Sequence, residues 1–450
     1  VSQTDLFRVL AALALLVAAA HLGGRLFARF RQPPVVGELL GGLLLGPTVL
    51  GLLLPEVQSW LFPATGPAAS GLTLVHQIGM LLLMFTAGME MRTVFSRGDG
   101  RSVAVIAVAG MAVPFVLGLV VVRAVDTADV MGPAADVPAL TLVVACAVAV
   151  TSIPVISRIM LDLGIVRTRF ARIVLSVAVV EDIVLNVVLS VALGMVAGGR
   201  EDGFGLAGAL GVTSAHGSAV YHLVASVAFF GLMMLAAAAL RRRPGAGAGT
   251  AGSAQGRVAV RMAAVLAASA ACVFLGVAPM FGAFVVGLLS GMTGQTSRSE
   301  SLGHVRGFAS GFFVPVYFAI VGLELDLVHS FDPVFTAGFI LVACAAKAVS
   351  VYGGARLAGR PGPESLDLSV ALNARGGPGI VLATVSFDAG IVNASLFTTL
   401  VLTAVVTSQI AGWWLGRAVA RGVFAPVADG RDTGPRPDRR PAKPVDALTG

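Results

Sequence analysis

Charge is scarce in this chain. Only 12% of its 450 residues are Asp, Glu, Lys or Arg, about half the share usual in soluble domains, which excludes a water-soluble globular protein. Lysine is almost missing: Lys347 and Lys443 are the two lysines among 31 basic residues. Cysteine is limited to Cys146, Cys272 and Cys344, all in apolar stretches and at no metal-binding or redox spacing. They read as small buried hydrophobes, which excludes a disulfide scaffold. The apolar runs lack polar–apolar alternation, which excludes a membrane β-barrel. No signal-peptide cleavage pattern follows the first run, so it reads as a retained helix.

What the chain has is apolar length. Hydrophobic residues make up 56% of it, and a spanning helix needs about 20 mostly apolar residues. Thirteen such helices are predicted, at roughly 5–26, 34–54, 72–90, 102–124, 138–161, 169–198, 219–240, 258–276, 279–292, 304–324, 334–356, 367–388 and 395–420. The fold class is therefore an all-α polytopic membrane protein, with residues 1–424 as one transmembrane domain. The connecting loops alternate in charge. Arg25, Arg29 and Arg31; Arg92, Arg97 and Arg101; Arg167, Arg169 and Arg172; Arg241 to Arg243, Arg257 and Arg261; Arg298 and Arg306; and Arg356 and Arg360 mark every second loop, against Arg123 and Arg200 in the others. The positive-inside rule makes the Arg-rich loops cytoplasmic, with the N-terminus outside and the C-terminus inside. The net charge of +7 is thus a topology signal, and nucleic acid is not expected as a partner. Residues 241–257, rich in Gly and Ala, read as a flexible linker. Residues 425–450, rich in Arg, Asp and Pro, read as a disordered cytoplasmic tail.

The two sides of that linker echo each other. Pro34-x-x-Gly37-x4-Gly42-Leu43-Leu44-x-Gly46 matches Pro279-x-x-Gly282-x4-Gly287-Leu288-Leu289-x-Gly291. Gly88-Met89-Glu90 matches Gly322-Leu323-Glu324, and Asp162-x-Gly164-Ile165-Val166 matches Asp388-x-Gly390-Ile391-Val392. The matched helices are an odd number apart, so the second copy enters the membrane from the opposite side. Repeats at about 34–198 and 279–420 with inverted topology mark secondary transporters. Pro-x-x-Gly spacings are also generic helix-packing signals. In each repeat a helix is interrupted before its Asp-x-Gly motif: at Thr151-Ser152-Ile153-Pro154 in one, and at Asn373-Ala374-Arg375-Gly376-Gly377-Pro378 in the other. Proline breaks the helical ladder, so two crossing, discontinuous helices are expected, with unwound carbonyls and hydroxyls suited to a hard monovalent cation.

Ionisable residues deep in a span are functional candidates by default. Glu181 and Asp182 stand foremost. Asp182, Asn186 and Ser190 share a polar stripe at i, i+4, i+8, and Glu181 points about 100° away. Lys347 is a lone lysine in a protein that otherwise uses arginine, which suggests a group that must be able to lose its proton. The plainer alternative is a static buried ion pair that fixes helix packing; two acids against one base would leave it with excess charge. Arg375, at the second break, serves either a direct role or neutralisation of helix C-terminal ends. Thr399, Thr403 and Thr407 form a supporting stripe. Glu38, Glu90, Arg158, Asp162 and Glu324 lie nearer helix ends and read as capping or gating contacts.

From about residue 10 to 420 these motifs, in this order, resemble the monovalent cation/proton antiporter-2 family. The matching segments are Gln32-Pro-Pro-Val-Val-Gly-Glu38 through Pro47, Leu83 through Glu90, the Thr151-Ser152 break, the acid pair, Lys347 and Asn373-Ala-Arg-Gly376. The resemblance implies thirteen helices, a homodimer in the bacterial inner membrane, and a six-helix core (helices 4–6 and 11–13) moving against a scaffold. It places the ion-carrying carboxylate on Asp182, its neighbour on Glu181 and the paired lysine on Lys347. Glu181 departs from the residue usual in electrogenic members, and the nucleotide-binding regulatory domain of some members is not expected.

The expected activity is exchange of Na+ or K+ for H+ by alternating access, with no cofactor and no enzymatic chemistry. Asp182 would bind either a cation or a proton, Thr151 and Ser152 would add oxygens to the cation, and Glu181 would pair with Lys347 when the proton is bound. The competing readings are a sodium-coupled organic-anion symporter, and a membrane-embedded enzyme or sensor on an antiporter scaffold.

Overall fold

The computed structural model describes residues 2–30, 32–90, 99–124, 127–166, 168–197, 205–212, 215–242, 254–292, 303 and 305–423. In a bilayer each backbone group needs an internal partner, which long apolar runs obtain as helices. The main ones are α1 (Gln3–Arg29), α2 (Pro34–Leu45), α3 (Pro67–Glu90), α4 (Gly100–Ala124), α5 (Val137–Ala149), α6 (Ile153–Asp162), α7 (Arg169–Ala197), α8 (Ala215–Arg242), α9 (Ala254–Phe274), α10 (Pro279–Met292), α11 (Val305–Leu323), α12 (Pro333–Leu357), α13 (Gly362–Ala371), α14 (Gly376–Asp388) and α15 (Ala394–Ala420). Among the described residues nine helical segments are long and apolar enough to cross a membrane, with α2 extended to Leu53 and the α13–α14 pair each counting as one, and four shorter apolar helices accompany them. Most of the proposed linker and all of the proposed tail lie outside the described residues.

Local chemistry sets the ends. Asp136, Asp332 and Asn393 cap α5, α12 and α15 by accepting backbone N–H bonds of 2.8–3.0 Å, as short polar side chains do at helix N-termini. Pro34, Pro67, Pro279 and Pro333 open their helices at the first position, where the missing N–H is no loss. α2 stops at Leu45, nine residues short of the sequence-based expectation. Gly46 is extended (φ −84°, ψ −175°), as the residue before Pro47 prefers, and a separate short helix follows at Leu50–Leu53. On one face of the molecule the segment before α5 pairs with the turn before α15, through a Met131–Val392 bridge and the Gly132 N–H donating to the Ile391 carbonyl at 3.0 Å. Nothing in the apolar periodicity announced that contact.

The helices form two bundles. α1, α2, α3, α9, α10 and α11 pack on one another, and α4 to α7 with α12 to α15 form the second group, with α8 lying along α7. The repeat motifs do the same work in both halves. Gly164 and Gly390 are left-handed, with φ of +73° and +74°. Each ends its half-helix with the same bond spanning five residues, Ile165 N–H to the Met160 carbonyl and Ile391 N–H to the Ser386 carbonyl, both 2.9 Å. This is the glycine-terminated helix end. Gly42 of α2 and Gly46 just past its end lie against the backbone of Ala319 and Leu323 on α11, and their counterparts Gly287 and Gly291 of α10 lie against Phe85 and Met89 on α3. Gly322 on Leu39 and Gly88 on Phe284 complete the correspondence. The Pro-x-x-Gly motif is thus both a packing signal and a repeat.

These crossings leave no room for a methyl group. Gly42→Ala and Gly287→Ala are each expected to lower stability by about 1–3 kcal/mol, the usual range for overpacking. Gly338→Ala, at a position with open space around it, should be neutral or mildly stabilising. Thermal unfolding of the three variants in detergent measures this; equal melting for all three would contradict the close packing.

Candidate functional site

The site is built where the two broken helices meet. α5 unwinds after Ala149 and α13 after Ala371, and the unwound segments bond to each other: the Ser152 N–H donates to the Ala374 carbonyl, and the Thr151 hydroxyl to the Leu372 carbonyl, both at 2.6 Å. Gly376 opens α14 at the crossing, where a Cβ would strike Val155 and the Ser152 hydroxyl. Breaking two helices in an apolar layer leaves carbonyls that must be satisfied. The last carbonyls of α5 are met by two buried cations. Arg375 donates to Ala147 (3.1 Å) and Val148 (3.0 Å), and Lys347 to Ala149 (2.6 Å). Arg375 also donates to the Ala343 carbonyl of α12 (2.9 Å) and to the carbonyl (3.2 Å) and side-chain oxygen (2.7 Å) of Asn373. Of the two roles open for Arg375, this geometry is that of a cap on a helix C-terminus.

The acids divide. Glu181 is fully buried; its Oε2 accepts from Lys347 Nζ at 2.8 Å and lies 2.7 Å from the Thr151 hydroxyl. Its Oε1 has no hydrogen-bond partner and faces Gly110 of α4. Asp182, one residue on, lines a cavity of about 20 Å³ together with Val150, Leu185, Leu189, Pro378, Val381 and Leu382 of one bundle and Met84 and Met280 of the other. That volume suits a single water-sized occupant. Because the neighbours lie about 100° apart round the helix, one carboxylate points into its own bundle and the other to the seam between bundles. Arg375 interacts electrostatically with Glu181. Counting it, the formal charges of Glu181, Asp182, Lys347 and Arg375 sum to zero, so the argument from two acids against one base no longer holds.

Several expected contacts are placed differently. Thr151 stands beside Glu181, not in the lining of the Asp182 cavity, and the Ser152 hydroxyl accepts from the Val155 N–H at 3.4 Å as the cap of α6. The cavity face of α7 is Asp182, Leu185 and Leu189, at i, i+3, i+7, one step round from the expected polar stripe. The side chains of Pro154 and Asn186 lie outside those described; Pro378 lines the cavity. Thr399 bonds Thr336 of α12 at 2.8 Å, Thr403 bonds only back to its own helix, and Thr407 accepts the Arg375 N–H at 3.2 Å. None of these three hydroxyls bonds Glu181. Met84 and Met280, the second bundle's share of the cavity, were not singled out from the sequence; their apolar setting carried no signal.

Comparisons with known proteins agree with this architecture. The chain is 29% identical over 415 residues to the Na(+)/H(+) antiporter NhaS4 of Synechocystis, covering 90% of this chain and 95% of that protein. It is 27% identical to the Cation/H(+) antiporter 20 of Arabidopsis thaliana, covering 88% of this chain but only 47% of that longer protein. Its fold is that of the sodium proton antiporter MjNhaP1 from Methanocaldococcus jannaschii, with a TM-score of 0.62 at 14% identity over 93% of this chain and 99% of that one. The family model for the transmembrane sodium/hydrogen exchanger matches residues 12–421. With nearly the whole helical unit inside that match, the chain belongs to the sodium/hydrogen exchanger family.

Proposed function

We propose that this protein is a secondary antiporter exchanging Na+ or K+ for H+ by alternating access, and not an enzyme. The observation that carries the reading is the division of the acid pair: Glu181 is held by Lys347, while Asp182 faces a one-ion cavity at the seam between bundles. Asp182 is the carrier. Its carboxylate holds a partly dehydrated cation or a proton, and the two compete for one place. The small cavity supports an ion over an organic anion. Movement of the α4–α7/α12–α15 bundle against the other would expose that place to each side in turn. Arg375 keeps the crossing intact in both states. The protein is read as a homodimer in a bacterial inner membrane, N-terminus outside. The outward apolar side chains of α1, such as Leu6, Phe7, Leu22 and Leu26, would meet lipid or a second copy. Dye-reported proton flux in everted vesicles on addition of Na+ or K+ tests the exchange; flux that requires an organic substrate would overturn it.

The orientation has its own test. Reporter fusions after residues 60 and 250 are expected on opposite sides of the membrane, the second one cytoplasmic, because Arg-rich loops stay inside. The same side for both would undo the proposed topology.

Glu181 and Lys347 act in this reading as a pair that opens and closes during the cycle. A permanent buried pair that loses its lysine is destabilised by ~3–5 kcal/mol. Lys347→Gln is expected to cost less, because Glu181 can take up a proton, and to change the pH profile of transport. The double variant Glu181→Gln with Lys347→Gln should recover folding and move less net charge. Thermal unfolding and solid-supported-membrane currents are the measurements; a double variant with wild-type pH dependence and currents would leave the pair as packing alone.

A further inference from the structure

A second set of buried oxygens lies along the same seam and is not used by the Asp182 site. Tyr317 of α11 is fully buried and its hydroxyl has no hydrogen-bond partner. Thr384 of α14 is 1% exposed and its hydroxyl is likewise unpartnered. Among the described residues Ser226, Ser269, Ser386 and Thr398 carry buried hydroxyls in the same condition, so what sets Thr384 apart is its place opposite Tyr317. Thr403, Thr407 and Ser408 all return their hydroxyls to the carbonyl four residues back, as buried helical hydroxyls commonly do; Thr384 does not. Tyr317 and Thr384 come from opposite bundles and face one another without a bond of proper geometry. Tyr317 also interacts electrostatically with Glu324, seven residues along α11, and with Asp388, four residues beyond Thr384 on the same face of α14. Glu324 Oε2 is buried without a partner. The ring of His76 packs on Tyr317 with centroids 4.8 Å apart and holds the phenol in place.

The arrangement is graded. Asp388 is exposed, Glu324 is half-buried, and Tyr317 and Thr384 are sealed. One turn further along α14, Val381 lines the Asp182 cavity. Positions 381, 384 and 388 lie on one helix face, and they span about 10 Å at 1.5 Å per residue. Two carboxylates and two hydroxyls are an all-oxygen set, the kind that suits a hard cation and not a soft metal. Buried oxygens that find no protein partner are where a solvated ligand belongs.

We propose that Asp388, Glu324, Thr384 and Tyr317 form a second, oxygen-lined site that holds a hydrated monovalent cation in transit between one mouth of the protein and Asp182. The inference rests on the antiporter reading and adds a station to it. The site draws oxygens from both bundles, so it is complete only while the seam is closed around it. The repeat relates Glu324 and Asp388 by sequence to Glu90 and Asp162, at the ends of α3 and α6.

Two measurements test it. The first is cation dependence of exchange in oriented proteoliposomes, with Na+ or K+ supplied from one face at a time. Tyr317→Phe and Thr384→Val are expected to raise the half-saturating concentration by roughly 3- to 10-fold, the worth of one or two lost oxygen contacts. The rise should appear only from the face bearing the α11 and α14 C-terminal ends. An equal rise from both faces, or none from either, overturns the station while leaving exchange itself intact. The second measurement needs no transport. Binding of 22Na+ or 86Rb+ to purified Asp182→Asn should persist at reduced affinity and disappear in Asp182→Asn combined with Glu324→Gln. Complete loss in Asp182→Asn alone, or residual binding that survives Glu324→Gln, overturns the proposal.

Discussion

Asp182→Asn is expected to abolish cation/proton exchange, with at least ~100-fold loss, while the protein stays folded and inserted. The loss follows from the position of the carboxylate. Asp182 is the acidic group of the cavity at the seam, and Asn keeps its shape but can neither balance a cation nor exchange a proton. Losing a charged partner of an ion is worth about 3 kcal/mol, which is already more than 100-fold in binding. Folding is expected to be spared because the crossing is held by the Ser152–Ala374 and Thr151–Leu372 bonds and by Arg375, none of which the substitution removes. Asp182→Glu, which keeps the charge, serves as control. Dye-reported proton flux in everted vesicles reads the outcome, with detergent size-exclusion to show the fold. Exchange at wild-type rate in the Asn variant would show the carrier to be elsewhere.

Arg375→Gln is expected to do the opposite and fail in folding before function can be assayed. The guanidinium donates to the carbonyls of Ala147, Val148, Ala343 and Asn373 and to the Asn373 side chain. Its removal leaves the Ala147 and Val148 carbonyls of α5 without these donors inside a buried crossing, with Lys347 still on Ala149, and each orphaned buried acceptor costs about 1–3 kcal/mol. A total of roughly 3–5 kcal/mol approaches the whole stability of many proteins. Arg375→Lys restores the charge but not the fork of donors and should fall between. Unfolding temperature in detergent and the yield of inserted protein are the readouts. A Gln variant as stable as wild type would show that the carbonyls find other donors.

Much of the architecture was legible because membrane helices leave strong marks. Apolar runs, prolines at helix starts and the repeated glycines all carry local physical reasons, and the structure uses them for those reasons: Gly42 and Gly287 as crossing points, Gly164 and Gly390 as helix stops. The interruptions at Thr151 and Arg375 were also readable, because a broken helix needs Pro, Gly and polar partners. Side-chain direction was harder to read. Whether Thr151 faces Glu181 or Asp182 depends on the path of three unwound residues, which no periodicity describes. Arg375 itself stood out at the break, but its place among the other buried charges was hidden: it lies 193 positions after Asp182 in the chain and joins the cluster only through the crossing. The apolar half of the cavity, Met84 and Met280, is indistinguishable in sequence from ordinary core.

The two kinds of contact in this molecule differ in stiffness. Within the α1–α3/α9–α11 bundle, Gly42, Gly88, Gly287 and Gly322 bring main chain onto main chain. Such joints have no rotamers to adjust, so they are rigid. Where that bundle reaches the Asp182 cavity it offers methionines, whose unbranched, polarizable side chains reshape easily. At the Asp182 cavity this bundle is therefore more compliant than at its glycine crossings. In the proposed antiport cycle, an occupant that swells or shrinks the cavity would deform that methionine layer before it disturbed the glycine crossings behind it.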